Sequence, residues 1–181
     1  MQQTQAASEP RKPYTGLITM HGLGELVVPG DYDHDKCLSV LRQNLRGPFF
    51  SFDPDISDEH YSRTTVRLAP GQRIRVEALR QLNPGETQAE DRLDFLKKGG
   101  ALLTGPQGAA LVIGQMRGML GQDYRFFFFD DHRALWRRSR WGNNPMLPWV
   151  EMRSDGLLSL CLTEFDRPMD MKDAVIAMYW A

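Results

Sequence analysis

The sequence lacks any segment suited to crossing a membrane or directing secretion. Its best apolar run, residues 109–113, is far shorter than the roughly 20 residues that a membrane-spanning helix needs. Residues 1–13 are polar and lack the apolar stretch of a secretory signal peptide. We therefore expect a cytoplasmic protein in which residues 1–13 form a flexible polar tail.

An excess of charge of one sign is also lacking, since 22 Lys and Arg residues accompany 23 Asp and Glu residues. A net charge of −1 gives no general attraction for nucleic acid or for an anionic membrane, and it permits a homo-oligomer because copies repel each other only weakly. The two cysteines, Cys37 and Cys161, lie far apart in apolar stretches. This usage is typical of reduced thiols in a cytosolic protein, although the sequence is also compatible with a single disulfide.

Motifs that identify common enzymes are missing. Residues 22–24 (Gly-Leu-Gly) follow a predicted strand, but Val27 replaces the third glycine of a dinucleotide-binding motif and Pro29 blocks the following helix. Residues 100–107 have glycines at phosphate-loop spacing without the required Lys and Ser/Thr. There is no GxSxG nucleophile motif and no HExxH zinc motif. We therefore predict no cofactor and favour a non-enzymatic domain.

Short apolar runs separated by turn residues make up much of the chain, which favours strands joined by hairpins. Residues 64–68 and 73–79 flank a Pro-Gly turn and are predicted to pair with each other, and the alternation in 73–79 predicts one exposed face. The predicted strands cover 14–28 (one strand or a hairpin), 49–52 (a strand or a buried turn), 64–68, 73–79, 126–129, 149–152, 157–162 and 175–180 (a strand or a short helix).

Helical periodicity is clear in two segments. Residues 33–46 repeat Leu at helical spacing behind an acidic start that would favour the helix dipole. Residues 87–98 begin with Thr87 and Glu90 at the spacing of a capping box and end in Lys-Lys-Gly. Both segments are predicted to be helices.

Residues 101–120 fit two structures. Gly105-Pro106 is suited to opening a helix, whereas the glycine density and Val112-Ile113 favour a buried strand over residues 108–113, which we prefer. Strands then outnumber helices. We predict a single globular α+β domain over residues 14–181, with a mostly antiparallel sheet and two or three helices.

Two acidic clusters are candidate metal sites. Asp31, Asp33 and Asp35 have the spacing of the first three ligands of an EF-hand loop, but Lys36 and Arg42 occupy the positions where that loop requires Gly and Glu. An acidic helix start explains this cluster better than a metal site does.

The second acidic cluster carries a histidine, so it could hold a divalent cation or perform acid–base chemistry. The competing interpretation is a solvated loop. Its members are Asp53, Asp55, Asp58, Glu59 and His60.

Asp130, Asp131 and His132 directly follow a predicted buried strand, a position from which polar side chains can line a site. They are weak candidates for catalysis, together with His60. The competing interpretation, which we favour, is that Asp130 or Asp131 caps a short helix over residues 131–136. His21 and His34 are solitary in the sequence.

The most unusual string carries three arginines and two tryptophans within six residues. Trp and Arg are favoured anchors in protein interfaces, and the same residue types can stack on bases and bind phosphates. The alternative is a surface turn in which Trp rings pack inward beneath Arg stems. The predicted contact residues are Trp136, Arg137, Arg138, Arg140 and Trp141.

Three functions remain open from the sequence. The leading hypothesis is a protein-interaction module that uses the Trp/Arg segment, residues 136–141. The alternative is a hydrolase-like or small-ligand-binding domain with a carboxylate–His site around Asp130. The third is single-stranded nucleic-acid binding through the Trp/Arg segment, which the near-neutral charge disfavours.

Overall fold

The computed structural model describes residues 16–44, 49–63, 65–82, 84–131, 137–138 and 144–181. The predicted tail, residues 1–13, therefore lies outside the described residues. The helices are α1 (Cys37–Gln43), α2 (Asp58–Tyr61), α3 (Ala89–Lys98) and α4 (Gly105–Met116), followed by a 3-10 turn at Arg117–Met119. The strands are β1 (Leu17–Val27), β2 (Phe49–Phe52), β3 (Arg73–Gln81), β4 (Arg125–Phe127), β5 (Arg137–Arg138), β6 (Asn144–Met152), β7 (Leu158–Glu164) and β8 (Asp173–Trp180).

The strands form one mixed sheet in the order β1-β3-β8-β4-β6-β7-β2, and β5 pairs with β6 outside this path. The α+β class is confirmed. The sheet is less uniformly antiparallel than predicted, because β4 pairs parallel with β8 and β2 pairs parallel with β7. The described residues also form four α-helices where two or three were predicted. None of these helices is long and apolar enough to cross a membrane.

Alternating side chains of β4 and the residues after it supply two hydrophobic cores. Phe126 and Phe128 belong to a cluster with residues of α1, α2 and α4, whereas Phe127 and Phe129 belong to a cluster with α3. Successive side chains of a strand point to opposite faces. The four-phenylalanine run is therefore continuous because both faces of the sheet are covered there.

The preferred strand over residues 108–113 is wrong, because these residues lie in α4. Pro106 occupies its first turn, where a missing N–H costs nothing. Most of the helix is buried, including Leu111, Val112 and Ile113. Because α4 is apolar nearly all the way round, its sequence shows little of the one-sided periodicity by which an exposed helix is identified.

The strand predicted over residues 64–68 and its pairing with residues 73–79 are also wrong. Residues 65–68 form no strand and join the fold by the Val66 N–H, which donates to the Leu103 carbonyl at 2.8 Å. β3 pairs instead with β1 and β8. For residues 14–28 the sequence left one strand or a hairpin open, and a single strand forms over residues 17–27, with register shifts between Thr19 and His21 and between Gly22 and Gly24.

Both predicted helices are shorter than expected. α1 begins at Cys37, so the acidic residues of 31–35 precede it instead of forming its first turn. In α3 the capping box is formed by Gln88 and Asp91 rather than by Thr87 and Glu90. The strands predicted over 49–52, 73–79, 126–129 and 175–180 are confirmed within a few residues at their ends, as is the hairpin of β6 and β7.

Candidate functional site

The Trp/Arg segment joins the sheet beside β6. Arg137 pairs with Pro145 and Arg138 with Asn144, while Trp136, Arg140 and Trp141 lie outside the described residues. On the same side of β6, the Phe128 N–H donates to the Pro148 carbonyl at 3.1 Å. Phe128 and Arg137 are therefore both held against the same side of β6, an interior strand of the sheet.

Asp130 lies two residues after Phe128, and it is 1% exposed. Gly105, the first residue of α4, has a φ of +49° and donates its N–H to the Phe129 carbonyl at 3.0 Å. A Cβ on Gly105 would lie 2.7 Å from Thr65 Cγ2 and 3.1 Å from Asp130 Cβ. Glycine thus lets Asp130 pack against the start of α4, where the helix dipole favours a carboxylate.

His34, although solitary in the sequence, is buried at 3% exposure. It contacts Thr65, the residue that also lies beside Gly105. The Leu68 N–H donates to His34 Nδ1 at 3.4 Å, and Nε2 lies 3.1 Å from Thr65 Oγ1. A backbone N–H can only donate, so Nδ1 accepts and the ring proton is assigned to Nε2. Thr65 in turn donates to the Tyr61 carbonyl at 3.4 Å. These contacts use both ring nitrogens and favour a structural role.

The other candidates for a carboxylate–His site are not brought together by the described contacts. Asp131 is exposed, and its carboxylate lies 3.7 Å from Lys97 Nζ. His60 Nδ1 lies 2.7 Å from the Asp55 carbonyl in its own loop. His132 and the short helix predicted over 131–136 fall on residues that are mostly outside the described part of the chain.

Asp58, a weak metal candidate, caps a helix. Its carboxylate accepts the N–H groups of Leu38 and Ser39, each at 2.9 Å, at the beginning of α1. The capping expected of the acidic residues before α1 is thus supplied by Asp58 at the start of α2, directly after the loop of residues 53–57. Asp53 accepts the Asp55 N–H at 3.0 Å within that loop.

Two of the three acidic residues before α1, Asp33 and Asp35, are engaged in contacts of their own. Asp35 accepts two hydrogen bonds from Arg67, each at 2.8 Å, and this guanidinium lowers the pKa of the Asp35 carboxyl. Asp33 lies 3.3 Å from Lys36 Nζ. No group of three or more His, Cys, Asp or Glu side chains in the described part of the chain is placed to hold a metal ion.

Both cysteines are free thiols. Burial raises the pKa of Cys37 to about 12 and raises that of Cys161 as well. Nucleophilic chemistry needs the thiolate, so neither environment activates its sulfur.

A polar cleft that no sequence pattern predicted lies at the amino ends of β4 and β8. The cleft has a volume of about 530 Å³ and is lined by residues 122–125, Glu151, Asp170 and Lys172. Its members come from three separate segments. The only local signal was that charged residues stand directly before the apolar strands β4 and β8.

No protein-family model, curated protein or solved structure significantly matches this chain.

Proposed function

We propose that this domain binds an acidic surface of another protein through the Trp/Arg segment, residues 136–141. The segment concentrates Trp and Arg, two of the three residue types that are enriched among the interface residues that dominate binding energy. Its three arginines give a local charge opposite in sign to that of an acidic partner, which favours both encounter and orientation.

The observation that carries this proposal is the pairing of β5 with β6. Arg137 and Arg138 are held by a strand at the centre of the sheet, yet β5 stands outside the seven-strand path. A segment anchored in this way loses less backbone freedom when it binds than an unattached loop would. The pairing supports preorganisation of the backbone at Arg137 and Arg138.

Charge supports a protein partner over nucleic acid. The whole chain carries a net charge of −1, so three clustered arginines provide only a local attraction. Nucleic-acid binding gains most of its affinity from phosphate neutralisation and depends steeply on salt. A protein partner also accounts for the two tryptophans, whose large apolar area contributes at any ionic strength.

The test uses fluorescence anisotropy with a labelled Asp- and Glu-rich peptide that contains interspersed Leu. Wild type should bind it, and the R137A/R138A/R140A variant should bind at least tenfold more weakly, because truncating such anchors costs about 2 kcal/mol or more. The K36A/R63A/K98A variant is the matched control. It removes three exposed cations elsewhere and should retain the affinity of the wild type.

Thermal melting separates a contact role from a folding role, and the R137A/R138A/R140A variant should melt close to the wild type. Equal peptide affinity in the wild type and this variant would refute the assignment, as would no binding at low salt. An oligothymidylate probe tests the alternative. Tight binding of this probe, lost steeply as salt rises, would favour single-stranded nucleic acid instead.

A further inference from the structure

The polar cleft lies on a row of charged residues that crosses three strands. Arg125 of β4 is directly opposite Glu151 of β6 on one side and Asp173 of β8 on the other. Directly paired residues share one face of a sheet. Phe127, two residues after Arg125, packs in the cluster of α3, so the row lies on the α3 face.

A buried network fixes the floor of the cleft. Asp173 is fully buried, and its carboxylate lies 2.7 Å from Arg125 Nε and 2.8 Å from an Arg167 nitrogen. The Asp170 N–H donates to the same carboxylate at 2.9 Å. Arg92 of α3, also fully buried, donates to the carbonyls of Asp170 and Asp173. The Arg125 guanidinium is therefore held in place before anything binds.

Arg125 also lies 3.5 Å from the Asp170 carboxylate, but three other groups of the cleft lack such a partner within the described part of the chain. Glu151 is half-buried, yet its carboxylate has no hydrogen-bond or ion-pair partner among the described residues, although Arg125 is its cross-strand neighbour. The same holds for the hydroxyl of half-buried Tyr124 and for the ammonium of exposed Lys172. A half-buried carboxylate without a partner loses hydration that a bound cation would replace.

We propose that the cleft binds a small zwitterion of the amino-acid or short-peptide class. Its ammonium group would lie against Glu151 and Asp123. Its carboxylate would lie against Lys172 and the Nη1 end of Arg125, because Asp173 and Asp170 lie against the Nε and Nη2 atoms of that guanidinium. A ligand with a single charge would face groups of like charge on one side. The volume of about 530 Å³ falls within the roughly 300–1,000 Å³ of small-molecule sites.

The experiment uses three probes of similar size: L-norvaline, pentanoate and butylamine. Amide shifts in ¹H–¹⁵N spectra of the full chain report where each probe binds. L-Norvaline should give saturable shifts at Tyr124, Arg125, Glu151 and Lys172, with an affinity at least tenfold above that of either singly charged probe. The E151Q variant should lose at least tenfold of this affinity.

Glu164→Gln provides the matched control, because it removes the same charge from an exposed residue outside the cleft. Equal L-norvaline affinity in the E151Q and E164Q variants would overturn the proposal. So would tighter binding of pentanoate or butylamine, which would assign an anion or a cation, and so would the absence of shifts at cleft residues with all three probes. None of these outcomes bears on the Trp/Arg segment.

Discussion

His34 shows how one buried side chain ties together segments that are distant in the sequence. Its ring contacts Tyr32, Thr65 and Leu68, and burial is the main reason that its pKa lies below the usual value, with the nearby Arg67 charge adding to the effect. The folded protein therefore keeps this imidazole neutral at a pH where an unfolded chain would already bind a proton.

The sign of the resulting pH dependence follows from linkage. Because the pKa of His34 is lower in the folded state, its contribution to stability is complete above the unfolded pKa of about 6.5 and is lost as the pH falls through the folded value. We expect the urea midpoint of wild type to decrease between pH 7 and pH 5. In the H34Q variant this decrease should be smaller, and an identical decrease in both proteins would contradict the argument.

At the scale of the element, α4 depends on a glycine that only its tertiary contacts explain. Gly105→Ala should destabilise the protein by about 2 kcal/mol or more, because the residue has positive φ and its new Cβ would meet Thr65 and Asp130. Gly114→Ala, in the same helix with nothing within 4 Å, should instead stabilise it by about 0.5–1 kcal/mol. Denaturant titration measures the free energy of unfolding of both variants. If the two substitutions changed it in the same direction, the role assigned to Gly105 would be wrong.

The elements that could be predicted from the sequence were those defined by local signals. Turn chemistry at residues 154–156 identified the β6–β7 hairpin, and Gly156 indeed has a φ of +77°. The strand prediction for residues 108–113 was wrong for a physical reason, because a helix buried on most sides and a buried strand have similar amino-acid composition. The cap of α1 comes from Asp58, twenty positions away, and local patterns carry no information about such a contact.

For the whole molecule, the Asp173 network joins β4, β8, α3 and the segment before β8. Asp173→Asn should cost about 3 kcal/mol or more, because it leaves Arg125 and Arg167 without the buried charge that they share. Asp166→Asn, an exposed change in the neighbouring segment, should have almost no effect. Urea unfolding measures both free energies, and a cost for D173N no larger than that for D166N would show that the network adds no stability.

The candidate sites differ in how far the sequence revealed them. The Trp/Arg segment is contiguous, so composition alone singled it out, and the structure adds its attachment to β6. The cleft depends on the parallel pairing of β4 with β8, which brings residues 122–125 beside Asp170 and Lys172. Parallel neighbouring strands are joined by long connections, so no turn motif in the sequence predicts that they pair.

The position of β8 has a consequence for how the chain is made. β8 lies between β3 and β4, and among the described strands it alone connects β1–β3 to the group formed by β4, β6, β7 and β2. A nascent chain that has not yet exposed residues 173–180 holds two separate pieces of sheet, each with an apolar open edge. Pairing of β8 therefore joins the two pieces, and until it forms, the unpaired edges of β3 and β4 are where another chain could associate.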